Sequence, residues 1–195
     1  MGNKQTFERI EGRLNRLIHL VHQLLTLARE EAQPGARLQP VSLRRLSERV
    51  IADILLLAEA EQIDLGLECS PGAQSDIFKA DVEPAGIEIL LNNLIDNAIR
   101  YTPKGGKVDV ILKREGEAIS LAVSDSGPGI PDEERERVFD RFCRSAGTKE
   151  EGSGLGLAIV LKIAQRHHAT LQIQDNSHRT GSHVILSGLR STKVS

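Results

Sequence analysis

Asn93 and Asn97 stand four residues apart inside Asn92–Tyr101, a stretch that puts amides where a buried helix would ordinarily carry Leu. Around them Ile87, Leu90, Leu91, Leu94, Ile95, Ala98 and Ile99 recur at helical spacing through Gly86–Tyr101, so the two amides share one face beside an apolar stripe. An isolated pair of this kind is equally at home on a solvated surface. Two glycine clusters lie downstream. The first, Asp125–Ser126–Gly127–Pro128–Gly129–Ile130, follows an alternating apolar segment and sets a carboxylate at the mouth of a strand, where the chain enters a tight turn. The second, Gly152–Ser153–Gly154–Leu155–Gly156–Leu157, opens a helix whose free N–H groups favour phosphate. Neither is a standard phosphate loop. No Lys-Ser/Thr follows the glycines, and Leu157 occupies the third glycine position of a dinucleotide fingerprint begun at Gly152.

Taken in this order, with Phe139–Asp140–Arg141–Phe142 between the glycine clusters, these segments resemble the nucleotide-binding domain of sensor histidine kinases. That family sits within the wider ATPase group containing gyrase, Hsp90 and MutL. The resemblance covers Arg37 to about Leu189. It implies an α+β fold: a two-layer α/β sandwich, with a mixed sheet covered by helices, preceded by one long helix of a dimerisation bundle. On that reading residues 1–34 are the truncated second helix of a dimerisation and histidine-phosphotransfer hairpin, and residues 35–195 are the ATP-binding catalytic domain. The resemblance further implies an ATP:protein-histidine phosphotransferase of a two-component system, with ATP and Mg²⁺ as cofactors. Its partners would be a second copy, joined through the N-terminal helix, and a response-regulator receiver domain. Membrane contact would come only through other segments of a bacterial inner-membrane protein, with this part on the cytoplasmic side.

Each part of such a nucleotide asks for a different group. Mg²⁺ keeps most of its waters and takes one or two protein oxygens, which a neutral Asn carbonyl supplies without crowding more carboxylates beside phosphate. By resemblance Asn97 is that metal contact and Asn93 its supporting partner, while Arg100 meets phosphate oxygens and Tyr101 packs on base or ribose. Asp125 can accept from the purine's exocyclic amine, which favours adenine over guanine. Gly127 and Gly129 let backbone approach the base. Gly152, Ser153, Gly154, Leu155, Gly156 and Leu157 form the phosphate-facing helix start and the hinge of a lid over residues 139–151. Arg141 and Arg144 lie in that lid; the resemblance favours Arg144 as the γ-phosphate contact, completing a catalytic set with Asn93 and Asn97. Cys143 fills a position often taken by Tyr.

Hydrolytic relatives carry a Glu four residues before the metal-binding Asn. Here that position is Asn93, and an amide cannot act as general base at neutral pH. The expectation is a site that holds ATP and offers its γ-phosphate to an external nucleophile. That nucleophile would be a histidine on a hairpin helix this chain is expected to lack. His19 and His22, followed by Leu20 and Gln23, are without the acidic and proline companions of the family's acceptor. Two readings compete: an ATP-hydrolysing conformational switch, disfavoured by Asn93, and a non-catalytic dimeric scaffold, disfavoured by the intact set Asn97, Asp125 and Gly152–Gly156.

The elements that must position these groups follow from pattern. Phe7, Ile10, Leu14, Leu17, Val21, Leu24 and Ala28 make a heptad seam, widened by Ile18 and Leu25, which Gln33–Pro34–Gly35 then stops. Leu38–Leu43 reads as a short strand, with Ser42 capping a helix to Gln62 whose Leu46, Val50, Ile54, Leu57 and Ala58 face one way. Ile63–Glu68 alternates as a strand, Ser70–Pro71–Gly72 turns, and Asp76–Ala80 is a short strand leading to Asp81, the expected cap of the asparagine-bearing helix. Lys107–Lys113 and Ala118–Val123 form a hairpin. Pro131–Arg137 reads as a short helix, Leu155–His168 as a longer one, and Thr170–Gln174 and His183–Leu186 as closing strands.

Bulk properties bound the alternatives. A chain of 195 residues, 39% of them hydrophobic, is long enough for one full core and an appendage. Net charge of −2 gives no long-range pull on nucleic acid, and 3% aromatics without Trp give no base-stacking platform. No apolar run approaches the roughly 20 residues a spanning helix needs, so a soluble chain is expected. Cys69 and Cys143 lack metal-ligand spacing and suit a reducing compartment; His167, His168, His178 and His183 read as structural or surface groups.

Overall fold

The computed structural model describes residues 17–18, 20–21, 23–29, 32, 37–70, 75–143, 153–176 and 180–192. Phe7, Ile10, Leu14, His19, His22, the stop at Gln33–Gly35, the turn residues Pro71 and Gly72, and His178 lie outside them. Helix α1 is helical at 17–18, 20–21 and 23–29. Its inner side carries Leu27 and Gln23, both buried, and Leu20, packed on the core. The heptad residues Leu17, Val21 and Leu24, with Ile18 and Leu25, are exposed. One helix thus turns an apolar row outward and a mixed row inward.

Strand β1 (Gln39–Ser42) leads into helix α2 (Leu43–Ala60), which Ser42 caps by accepting the Arg45 N–H at 3.4 Å. Leu46, Val50 and Ala58 are buried as the spacing predicts, Leu43 is buried with them and Ile54 is partly so, but Leu57 is exposed with Leu55 and Leu56. Three successive leucines step about 100° apart around a helix, so they cannot all reach one core. Strand β2 (Asp64–Cys69) follows, then a 3₁₀ turn (Ser75–Phe78) and β3 (Lys79–Val82), which pairs antiparallel with β1. That ladder sets Asp81 opposite Pro40, so Asp81 is not the cap of the next helix.

Helix α3 runs Pro84–Tyr101, with Glu83 at the N-cap and Pro84 in the first turn, where a missing N–H costs little. Glu83 caps without its side chain. Its own N–H donates to His167 Nε2 at 3.0 Å, and His167 Nδ1 lies 2.8 Å from the Ile163 carbonyl, while Arg166 bonds the Glu83 carboxylate at 2.6 Å. The last turn of the following helix thereby ties down the first turn of α3. Ile87, Leu90, Leu91, Leu94, Ile95, Ala98 and Ile99 are all buried. At roughly 1.5–3 kcal/mol for each large side chain removed from water, this stripe fixes the rotation of α3 and so the direction of its amides.

Strands β4 (Lys107–Glu115) and β5 (Ala118–Asp125) form the expected hairpin. After β5 come two 3₁₀ turns, Asp132–Glu134 and Arg137–Phe139, where the sequence suggested one short helix; 131–137 offers no buried apolar side chain and only Val138 after it is buried, too little to hold regular helix. Helix α4 (Gly156–Arg166), β6 (Thr170–Asp175) and β7 (Ser182–Arg190) complete the order. The main sheet is mixed, ordered β2-β4-β5-β7-β6, parallel between β2 and β4 and antiparallel elsewhere. Helices α2, α3 and α4 cover one face, giving the two-layer α/β sandwich. Among the described residues no helix is long and apolar enough to cross a membrane.

Candidate functional site

Asn93 and Asn97 emerge on the side of α3 that meets the start of α4. A Cβ added at Gly156 would lie 3.1 Å from Asn93 Oδ1, 3.5 Å from Asn97 Nδ2 and 3.7 Å from Asn97 Oδ1. Gly156 therefore brings backbone, not side chain, against both amides. Helix α4 begins there with Leu155 as a cap that supplies no side-chain bond, so the first-turn N–H groups and the positive end of the helix dipole face the amides. Asn93 is committed: its Nδ2 donates to the Ile89 carbonyl at 2.8 Å, and its Oδ1 accepts from Gln23 Nε2 of α1 at 3.4 Å. Ser153 Oγ accepts the Leu155 N–H at 3.1 Å and itself donates to Gln23 Oε1. Among the described residues nothing hydrogen-bonds the Asn97 amide.

The carboxylate sits one turn further along, at the C-terminal end of the same helix. A Cβ at Gly127 would fall 2.8 Å from the Tyr101 carbonyl oxygen, so the loop after β5 rests directly on the last residue of α3, one turn beyond Asn97. Asp125 Oδ1 accepts the Gly127 N–H at 2.8 Å and the Ser182 N–H at 3.1 Å, and its backbone carbonyl accepts from Asn176 Nδ2 at 2.9 Å. Gly181 (φ +131°) passes so close that a Cβ there would stand 2.0 Å from the Asp125 carbonyl oxygen. Burial pushes the Asp125 carboxyl above its ordinary value, partly offset by the Gly127 and Ser182 bonds.

The described residues on either side of 144–152 meet. Phe142 N–H donates to the Gly154 carbonyl at 2.9 Å, and Gly154, at φ +68°, has no room for a side chain beside Phe142 and Cys143. Arg141 is exposed near that junction, while Arg144 and Gly152 lie outside the described residues. Arg100 is paired at 3.0 Å with Asp96 on its own helix. Gly156 comes together with Asn93 and Asn97, Ser153 reaches Asn93 through Gln23, Gly154 meets Phe142 and Cys143, and Gly127 comes together with Asp125 while Gly129 meets Gly181.

Asn176, Gly181, Ser182, His167 and Gln23 were not singled out for the site by sequence reasoning. The first three flank the connection from β6 to β7, Ser182 opening β7 itself, and are brought to Asp125 by strand pairing across the sheet. A Gly-Ser step immediately before a strand was the signal available. Nothing local marks Gln23, which lies 70 residues from its partner Asn93.

A family model described as histidine kinase-, DNA gyrase B-, and HSP90-like ATPase matches residues 82–191, the whole of α3 through β7. The chain belongs to this family. Among curated relatives, sensor protein QseC of Salmonella typhimurium is 33% identical over 188 residues, covering 96% of this chain and 40% of QseC. The chain thus spans less than half the length of that relative. Among solved structures, the catalytic domain of histidine kinase ThkA is 26% identical with a TM-score of 0.70, covering 80% of this chain and 97% of that one. ThkA solved in complex with response regulator protein TrrA shares the fold at a TM-score of 0.77 and 23% identity, over 97% of this chain and 51% of the other. These ATPase-family likenesses bear out the sandwich architecture and the sensor histidine kinase resemblance.

Proposed function

We propose that this chain is the catalytic, ATP-binding portion of a two-component sensor histidine kinase. It binds Mg-ATP and presents the γ-phosphate to a phosphoacceptor histidine on another helix, for relay to a response-regulator aspartate. The observation that carries the reading is the meeting of Asn93, Asn97 and the uncapped start of α4 at Gly156, with Asp125 docked on the end of the same α3 helix.

The residues fit the cation. Asn97 has an unengaged amide beside a helix start, and among the described residues no group of three or more His, Cys, Asp or Glu could hold a metal unaided. Asn97 would hold a Mg²⁺ whose remaining positions are filled by water and phosphate, and the ion would neutralise charge on the phosphates. The first-turn N–H groups of α4 bind phosphate oxygens, and Arg144 is proposed as the γ-phosphate contact. Asp125, held in one orientation by two backbone N–H groups, accepts from the adenine amine. Asn93 takes no proton from water, so the site transfers to a presented nucleophile rather than hydrolysing. The exposed row on α1 supports a homodimer through the N-terminal helix, and the ThkA–TrrA assembly supports a receiver domain as partner. By likeness to QseC the parent protein would lie in the inner membrane with this part cytoplasmic.

The test is a calorimetric titration with ATP, with and without Mg²⁺, followed by γ-labelled ATP. Expected is Mg-dependent binding, no acid-labile label on this chain alone, and label transfer when a chain bearing an acceptor helix is supplied. Acid-labile label on the isolated chain would overturn the exclusion of His19 and His22. Steady ATP hydrolysis would favour the conformational switch, and no binding of ATP or ADP at millimolar concentration the scaffold.

A further inference from the structure

Two separate pieces of chain are closed around Asp125: the loop that follows β5 and the turn that joins β6 to β7. They touch at the Asp125 carboxylate through Ser182, at its carbonyl through Asn176, and where a Cβ on Gly129 would come 3.4 Å from the Gly181 carbonyl oxygen. One long side chain bridges them from outside. Arg135 donates from Nε to the Ile130 carbonyl at 3.1 Å, at the end of the glycine loop, and from Nη2 to Asp175, the last residue of β6, with Asp132 also at 2.8 Å from Nη2. Its side chain is 23% exposed, so the fork is largely withdrawn from water, although both carboxylates it meets are open to solvent.

We infer that Arg135 is a positioning residue for base discrimination: by fastening the glycine loop to the β6–β7 turn, it keeps the Ser182 N–H on Asp125 and thereby fixes which way the carboxylate points. The step rests on the reading of Asp125 as the adenine contact. A planar guanidinium can reach a carbonyl and a carboxylate at once from fixed directions, which a lysine ammonium cannot. If the turn slid away from the loop, Asp125 would retain the Gly127 bond but lose the Ser182 bond. The carboxylate could then rotate, and a base carrying an oxygen in place of the amine would be penalised less. Among the described residues Arg135 touches neither α3 nor the start of α4, so its effect is expected at the base end.

The experiment compares the unsubstituted chain with Arg135→Ala and Arg135→Lys, using calorimetric dissociation constants for ATP, GTP and inorganic triphosphate, and amide hydrogen exchange at Gly127 and Ser182 without nucleotide. Expected for Arg135→Ala is a fall in the ATP-over-GTP preference of about five- to tenfold, the contribution of one hydrogen bond. Triphosphate affinity should be unchanged, and exchange should be faster at Ser182 than at Gly127. Arg135→Lys should recover only part of the preference, and serves as the variant to read if alanine impairs folding. An ATP-over-GTP ratio within about twofold of the unsubstituted chain, or an equal loss for triphosphate, overturns the inference. A chain that binds ATP with no base preference before any substitution overturns the reading of Asp125 instead. In that case the exchange measurement still decides whether Arg135 holds the turn.

Discussion

The two ends of the site, set one turn apart along the C-terminal part of α3, are finished in opposite ways. At its C-terminal end the chain closes on itself: Asp125 commits Oδ1 and its carbonyl to backbone and side-chain donors from two loops, and glycines let those loops lie in contact. One helical turn earlier, Asn97 makes no bond among the described residues, and the start of α4 stands uncapped before it. A group that must distinguish one base from another benefits from being fixed beforehand, since every degree of freedom left to it is lost again on binding. A group that completes the shell of a hydrated ion has to stay available. The difference between the ends therefore separates residues whose loss damages the fold from residues whose loss damages binding.

Gly181→Ala is the strongest way to break the closed end. With a Cβ 2.0 Å from the Asp125 carbonyl oxygen at a φ of +131°, it should cost about 2–4 kcal/mol of stability and most ATP affinity, measured by urea unfolding and calorimetry. Full retention of both would show that the turn and loop need not touch. Asn97→Ala is the converse. It should weaken ATP binding in Mg²⁺ by about 10- to 100-fold while changing the unfolding free energy by no more than about 0.5 kcal/mol, because no native bond is removed. A large stability loss would mean that the open end is not open.

Asp125→Asn sharpens the comparison through pH. Burial raises the Asp125 pKa above 3.8, so the folded state holds the proton more tightly than the unfolded one, and the stability this brings is present below 3.8 and lost as pH rises through the folded value. Relative to the Asp125→Asn variant, the unsubstituted chain should lose stability across that window, while the variant binds ATP about tenfold more weakly. A stability difference independent of pH would remove burial as the cause. The smallest effect belongs to His183, on the opposite face of β7 from Ser182. Burial and the nearby Lys113 lower its pKa from 6.5, so its contribution is present above 6.5 and fades as pH falls through the lowered folded value. His183→Gln should flatten that decline without altering ATP affinity; a change in affinity would place the histidine nearer the site than its strand position does.

The asymmetry also explains what could be seen in the residues themselves. The buried stripe of α3, the hairpin β4–β5, Asp125 at a strand end and the glycine start of α4 are local patterns of period and turn chemistry, and each stands where the sequence places it. Locality fails at junctions. Asp81 was the natural cap for α3, but β1 claims it, and the N–H of Glu83 is satisfied by His167, 84 residues away. Gly181 and Ser182 owe their importance to the order β5-β7-β6 in the sheet, which no window of sequence contains. The open end of the site was therefore the legible one, since it is built from a single helix and a single glycine run.

The amide of Gln23 joins Asn93 to Ser153 from a helix whose other side carries Leu17, Val21 and Leu24 in the open. A helix is a stiff rod, and a rod cannot be turned on one side alone. Whatever grips those apolar side chains also decides, through one amide, how Asn93 and Ser153 stand toward each other.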